Sequence, residues 1–281
     1  MSRYHTPFTA PVALTDVKGP QPPDLLKRPQ LVPGDVVHAM RSMGWDASAQ
    51  LLDAWLSRPR GDLPDVASPA QIEDGIVKMS WALGLERAQE AQAELLAHAL
   101  DSTGVQTLKQ RLKAAGWSGG AFRLGSRDIP ARELDALSRL AEHPLGGATN
   151  TFDGPFGVIG RAVMHAGVVG RVEPDAQGRP HFKVDALGFY LRDAYDFTDH
   201  GPISQPLGVW SRHRCLNRAQ GAEFLSSAFS RHIRFRDFTP LTNRAFRDWS
   251  RRTGLGGDFI VYSDVAWLRP TQPDIALWLF L

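Results

Sequence analysis

Residues 188–199 read GFYLRDAYDFTD, which sets Asp193, Tyr195 and Asp196 at the end of an apolar, strand-like run. Asp is disfavoured in strands because its short carboxylate competes for backbone hydrogen bonds and packs poorly on a pleated face. In an extended strand Asp193 and Tyr195 share one face and Asp196 points to the other. A bend after Tyr195, into the loop TDHGPISQP, would turn all three toward one rim. Two carboxylates there suit a hard cation such as Mg²⁺, bound through oxygen and water, with Asp193 and Asp196 as its ligands. Alternatively, one of them is a general base whose pKa is raised by its neighbour. The plain structural alternative is a strand end whose acids are solvated or pair with Arg192 and nearby arginines.

Downstream lies a basic run. From Trp210 to Arg252 there are ten arginines against Glu223, Asp237 and Asp248, a net +7 without histidine. Guanidinium forks bind phosphate bidentately, so a cluster of them suits a phosphorylated or other anionic ligand. Arg192 and Arg212 are the candidates nearest the acids and the histidine. His213, within SRHRCLNR, can trade a proton near neutral pH, and Arg214 follows it. The bland alternative is a solvated face whose arginines pair with acids elsewhere. His165 lies in an apolar run and reads as a core histidine, while His181, His200 and His232 are scattered. No HxH or HExxH spacing supports zinc, and GxGxxG, P-loop and GxSxG patterns are missing. The single Cys215 excludes an intrachain disulfide and a cysteine zinc site.

These residues must be held by something larger. A chain of 281 residues, 43 % hydrophobic and 22 % charged, can bury a substantial core. Its net charge of +2 makes no global demand for nucleic acid or membrane. Residues 1–33 read as an extended, Pro-rich arm without a signal-peptide pattern, so export would use a route that needs no cleavable signal. Residues 34–146 read as a helical domain. Helices are predicted over DVVHAMRSMGWDASAQLLDAWL, along SPAQIEDGIVKMSWALGLERAQEAQAELLAHAL from Ser68 as N-cap, and at 104–115 and 130–142. Residues 147–281 read as a β-rich catalytic domain. VIGRAVMHAGVVGRV and HFKVDALGFYL form a hairpin around the turn EPDAQGRP. A helix near 218–229, a strand HIRFRDF, a helix from about Thr242 to a C-cap at Gly254, and strands in GGDFIVYSDVAWL and DIALWLFL complete it. The fold class is α+β, a helical N-terminal half followed by an antiparallel, half-barrel-like C-terminal activity domain.

Two resemblances follow from quoted segments. VPGDVVHAMRSMGWDASAQLLDAWL, with GFYLRDAYDF, QPLGVWS and FIVYSDVAWL, resembles a family of uncharacterised bacterial proteins that accompany type VI secretion genes. DAYDF resembles the signature of the colicin M family, Asp-x-Tyr-Asp followed after a short gap by His-Arg. That second resemblance implies a Mg²⁺-dependent phosphodiesterase that cuts lipid II between its undecaprenyl chain and the pyrophosphate. It implies catalytic roles for Asp193, Tyr195 and Asp196, and for His213 and Arg214 as the His-Arg pair. The intervening FTDHGPISQPLGVWSR is longer than the family's gap, and the nearer His200 is followed by Gly201. The corresponding expectation is an antibacterial toxin made in the bacterial cytoplasm and acting in a target cell's periplasm. Its partners would be lipid II, a secretion-apparatus protein and a cognate immunity protein, with peripheral membrane contact and no nucleic acid. The competing readings are a non-catalytic adaptor of the secretion machinery and, third, a nucleic-acid-directed toxin using the arginine run.

Overall fold

The computed structural model describes residues 31–145, 162–199, 201–227, 230–231, 233–270 and 276–278. The arm up to residue 30, His200 and His232 lie outside these residues. The centre of the fold is the expected hairpin, β4 (Val163–Pro174) and β5 (Pro180–Tyr195). Its turn forms because the Asp175 carboxylate accepts the N–H groups of Gln177 and Arg179 at 2.9 and 2.7 Å, an Asx turn written in the sequence.

Around the hairpin an eight-stranded sheet runs in the order β1 (Ile72–Glu73), β8 (Phe259–Tyr262), β5, β4, β2 (Phe122–Leu124). Strand β3 (Arg139–Pro144) also pairs with β4, while β9 (Ala266–Leu268) and β10 (Ala276–Trp278) pair with β5. Only the β1–β8 pairing is parallel among the described strands of this sheet. On β5, Phe182 and Val184, then Leu187, Phe189, Leu191 and Tyr195, enter the large core. The change of phase comes from a bulge: Val169 faces Ala186 and Gly170 faces Val184, leaving Asp185 as the extra residue. The other face presents Ala186 and Tyr190 to a smaller apolar cluster.

Each face has its own cover. Helices α1 (Pro33–Ser42), α2 (Asp46–Ser57), α4 (Glu86–His98) and α5 (Ser102–Ala114) contribute Met40, Leu52, Trp55, Leu95 and Leu108 to one cluster with Phe182, Phe189 and Phe259. The helical and β-rich regions therefore share a core, and β3 pairs with β4 across the 146/147 boundary. On the opposite face, Leu134 of α6 (Ala131–Ser138) fills the space above the cross-strand pair Gly167 and Gly188. A Cβ at either glycine would come within 2.8 Å of that leucine, so close helix approach requires glycine there.

A satellite unit holds β6 (Pro206–Trp210), β7 (Thr239–Thr242) and α7 (Arg218–Ser226) around Val209, Leu216, Phe224, Phe235 and Phe238. From β7 the chain enters α8 (Asn243–Thr253), which stops at Gly254 with φ +72°, as its C-cap pattern predicts. Three expectations fail. The segment after Ser68 is one 3₁₀ turn, strand β1, the short α3 (Met79–Ala82) and only then α4. The 130–142 helix stops at Ser138 because Arg139–Pro144 is taken up by the edge of β4; pairing overrides local propensity. Residues 233–237, expected within a strand, are turns, with Phe235 anchored in the satellite core and Ile233 exposed.

Candidate functional site

Strand β5 ends where sequence places its acids. After Tyr195 the Asp196 N–H turns back to the Ala194 carbonyl at 3.0 Å, a three-residue turn that bends the chain. Asp193 alternates with Leu191 and Tyr195 and so lies on the face of the large core. Burial pushes its carboxyl well above the ordinary carboxylate range, and the charge of Asp196 pushes it further. Tyr195 is 3 % exposed; its ring stacks on Phe259 at 5.1 Å and meets Phe197 edge-on at 5.7 Å. Its hydroxyl is buried without a hydrogen-bond partner among the described residues. Burial, then the Asp193 charge, raises the phenol above its usual range. The Arg58 guanidinium lies 3.8 Å from the Phe259 ring centre and 3.6 Å from Glu73.

Asp196 leads to a second group of residues. Its Oδ1 accepts the Thr198 N–H at 2.8 Å, and its charge helps raise Asp258, whose main perturbation is burial. Asp258 is held by Trp55 Nε1 at 3.0 Å and Arg247 Nη2 at 2.6 Å. Arg247 also donates to Thr198 Oγ1 at 3.0 Å and lies 3.6 Å from Asp62. Beside these groups opens a cleft of ≈ 560 Å³ lined by Phe197, Thr198 and Asp199 after the strand, Arg60 and Asp62 after α2, and Arg244, Arg247 and Arg251. Those three arginines recur at i, i+3 and i+7, so α8 offers them on one side while burying Asn243, Phe246 and Ser250. The helix is fixed at its start by the Arg244 N–H to Ser204 Oγ at 2.9 Å and by Asn243 Nδ2 to the Thr198 carbonyl at 3.1 Å.

The other candidates go elsewhere. Arg192 points to the α6 side of the sheet, where its Nε donates to the Tyr262 hydroxyl at 3.2 Å. Arg212 lies 3.6 Å from Asp35. His213 and Arg214 sit in the tight turn Ser211–Arg214, closed by Ser211 N–H to the Arg214 carbonyl at 2.9 Å. Arg214 binds Gln220 at 2.8 Å and covers the Phe238 ring at 4.9 Å. The Pro206 end of β6 adjoins the cleft, since Gln205 N–H donates to Asp199 at 2.9 Å. His213 lies beyond the other end, roughly 13 Å of strand away. No hydrogen bond, ion pair or ring contact joins His213 or Arg214 to Asp193, Tyr195 or Asp196 among the described residues. Thus the acids and tyrosine share one strand end, the basic run contributes three of its arginines to the cleft beside it, and the His-Arg pair stands apart.

Sequence reasoning missed Trp55, Arg60, Asp62 and Asp258. Asp258, immediately before the apolar FIVY, carried a readable signal: an acid entering a buried strand needs a donor, and Arg247 supplies it. Among the described residues, no group of three or more His, Cys, Asp and Glu forms a metal cluster. No helix there is long and apolar enough to cross a membrane.

Residues 34–278 match a family described as a family of unknown function, DUF6402. No curated protein and no solved structure matches the chain.

Proposed function

The chain belongs to this DUF6402 family of unknown function, and we propose that it is an antibacterial toxin that hydrolyses the undecaprenyl–pyrophosphate linkage of lipid II. The observation that carries this reading is the strand end itself. Asp193 and Asp196 are close enough for one charge to raise the other's pKa, and they stand beside an arginine-lined cleft. A perturbed carboxylate beside a cleft is a candidate for acid–base work, and an arginine-lined cleft suits a phosphate ester.

In this reading the cleft arginines hold the pyrophosphate and stabilise charge that develops on its oxygens. Asp196 takes a proton from the attacking water, whose oxygen bonds to phosphorus as the polyprenyl oxygen leaves and is protonated. The Tyr195 hydroxyl, without a hydrogen-bond partner among the described residues, donates to a phosphate oxygen. Mg²⁺, implied by the resemblance to colicin M, would be held by Asp193 and Asp196 and would supply charge neutralisation at the phosphate. The mutual repulsion of the two acids fits such a cation, and Asp193 would have to give up a proton to bind it. In the same reading the protein is delivered by a secretion apparatus to a neighbour's periplasm and paired with an immunity protein in the producing cell.

The test is incubation of purified protein with lipid II, with Mg²⁺ or with EDTA, alongside Asp196→Ala, with products resolved by mass. Mg²⁺-dependent release of the pyrophosphorylated sugar-peptide, lost in the variant, supports the proposal. Intact lipid II in every tube, with the protein folded, sinks it and leaves a binding role in the secretion machinery to be sought by pull-down.

A further inference from the structure

We propose that the cleft on α8 is a binding site for a diphosphate-type anion, and that Asp62 stands where an oxygen of that anion binds. The inference rests on the proposed function only in placing the acids beside this cleft. Binding itself can be measured whether or not those acids hydrolyse anything.

Arg247 is the fixed element. Its side chain is 17 % exposed and is clamped from within the protein by Asp258 and Thr198. A guanidinium held this way loses little freedom when an anion arrives, which is the condition for efficient recognition. Among the described residues its Nη1 meets only Asp62, at 3.6 Å, and the Asp62 side chain is 82 % exposed. That distance is too long for a hydrogen bond, and an ion pair with so exposed a partner is worth little. The outer side of Arg247 is therefore cheaply vacated in favour of a ligand oxygen with better geometry.

The attraction comes from two further arginines. Asp258 compensates Arg247, and Asp248 pairs with Arg251. The side chains of Arg60 and Arg244 make no hydrogen bond and no ion pair among the described residues, yet both line the cleft. For Asp199, also in the lining, burial works to raise the pKa, but hydrogen bonds from Ser204, the Gln205 N–H and Asn243, with the nearby charge of Arg244, hold it below the usual range. Two forks that no hydrogen bond or ion pair holds among the described residues, lining one cleft with a fixed fork, suit two linked phosphate groups better than one compact monoanion. The volume of ≈ 560 Å³ leaves room for whatever the diphosphate carries.

The experiment is calorimetric titration of the full chain with inorganic pyrophosphate, phosphate and sulfate at constant ionic strength. The variants are Arg60→Gln/Arg244→Gln, Asp62→Asn and, as a control in the satellite unit, Arg236→Gln. All substituted side chains except Arg236 line the cleft but leave the Arg247–Asp258 clamp intact, and thermal midpoints verify folding. Pyrophosphate is expected to bind more tightly than phosphate or sulfate. The double variant should lose at least about tenfold in affinity, Asp62→Asn should gain severalfold, and Arg236→Gln should match the parent. Absence of pyrophosphate binding, or equal binding by the double variant, overturns the site. Unchanged affinity in Asp62→Asn overturns the role of Asp62. Pyrophosphate binding without lipid II cleavage sinks the hydrolase reading and leaves this inference standing.

Discussion

Two polar groups lie on opposite faces of the same strand and are built on opposite principles. On the α6 side, Tyr190 donates to Asp135 Oδ1 at 2.7 Å and Tyr262 to Asp135 Oδ2 at 3.1 Å, while Arg192 donates to the Tyr262 hydroxyl. Every member has a partner, and one carboxylate absorbs two phenols. On the core side, Asp193 and Asp196 repel each other and the Tyr195 hydroxyl is buried alone. A satisfied network rigidifies a fold, whereas an unsatisfied one costs stability and persists where it does something else. The difference directs attention to the end of β5 and away from the more conspicuous tyrosine pair.

The largest effect should separate activity from stability. Asp193→Asn keeps the shape but removes one of the two carboxylates proposed to hold Mg²⁺, so under the proposed reaction lipid II cleavage should fall by about 10²-fold or more. The fold should gain. The folded carboxyl titrates above its unfolded value, so both forms are neutral and equivalent below about pH 4. As pH rises past that point the parent pays for a buried charge and the variant does not. Thermal midpoints measured against pH should therefore diverge upward in favour of Asp193→Asn; equal midpoints throughout would mean the acid is not strained.

The α6 side also holds an unpartnered histidine, and it yields the next effect. His165 is 2 % exposed, neither ring nitrogen has a hydrogen-bond partner among the described residues, Nδ1 lies 3.5 Å from Glu142 Oε2, and the ring stacks on Tyr190 at 5.4 Å. Burial lowers its pKa to about 4, against the opposing pull of Asp135 and Glu142. A histidine depressed on folding contributes stability above its unfolded value and loses it as pH falls through the folded one. Chemical denaturation should show stability falling between about pH 6.5 and pH 4, by up to about 3 kcal/mol. His165→Phe should flatten that window, and an unchanged pH profile would assign the acid sensitivity to other groups.

Removing one oxygen from each face provides the sharpest comparison. Tyr190→Phe breaks a made hydrogen bond to a half-buried carboxylate and should cost about 1–3 kcal/mol. Tyr195→Phe removes a hydroxyl that has no partner and should change stability by less than about 0.5 kcal/mol, or raise it. Denaturation midpoints of the two variants side by side decide the matter. A cost for Tyr195→Phe as large as for Tyr190→Phe would erase the distinction between the faces.

Part of this was legible in the chain. The β4–β5 hairpin showed in its apolar runs and in the turn chemistry of Asp175, and α8 in its Gly254 cap. The acids stood out because Asp is disfavoured in strands, and here two of them flank a phenol. What local patterns could not show were partners distant in sequence: Trp55 meets Asp258 across 203 positions. The same reliance on nearness in sequence joined His213 and Arg214 to the acids, although β6 carries them away from the cleft. In 233–237, alternation suggested a strand, but Phe235 needed only one anchoring contact in the satellite core and the chain turns around it.

Sequence by itself determined the α+β class, the central hairpin and the residue types at its end, because side-chain period, turn geometry and capping act over a few residues. Tertiary structure alone decided which arginines of the basic run face a common cleft, that Arg60 and Asp62 join them from the helical region, and which face of β5, that of Asp193 or that of Arg192, meets the large core. Those outcomes depend on burial and charge summed over elements that meet only when the sheet is assembled, and no local pattern carries that sum.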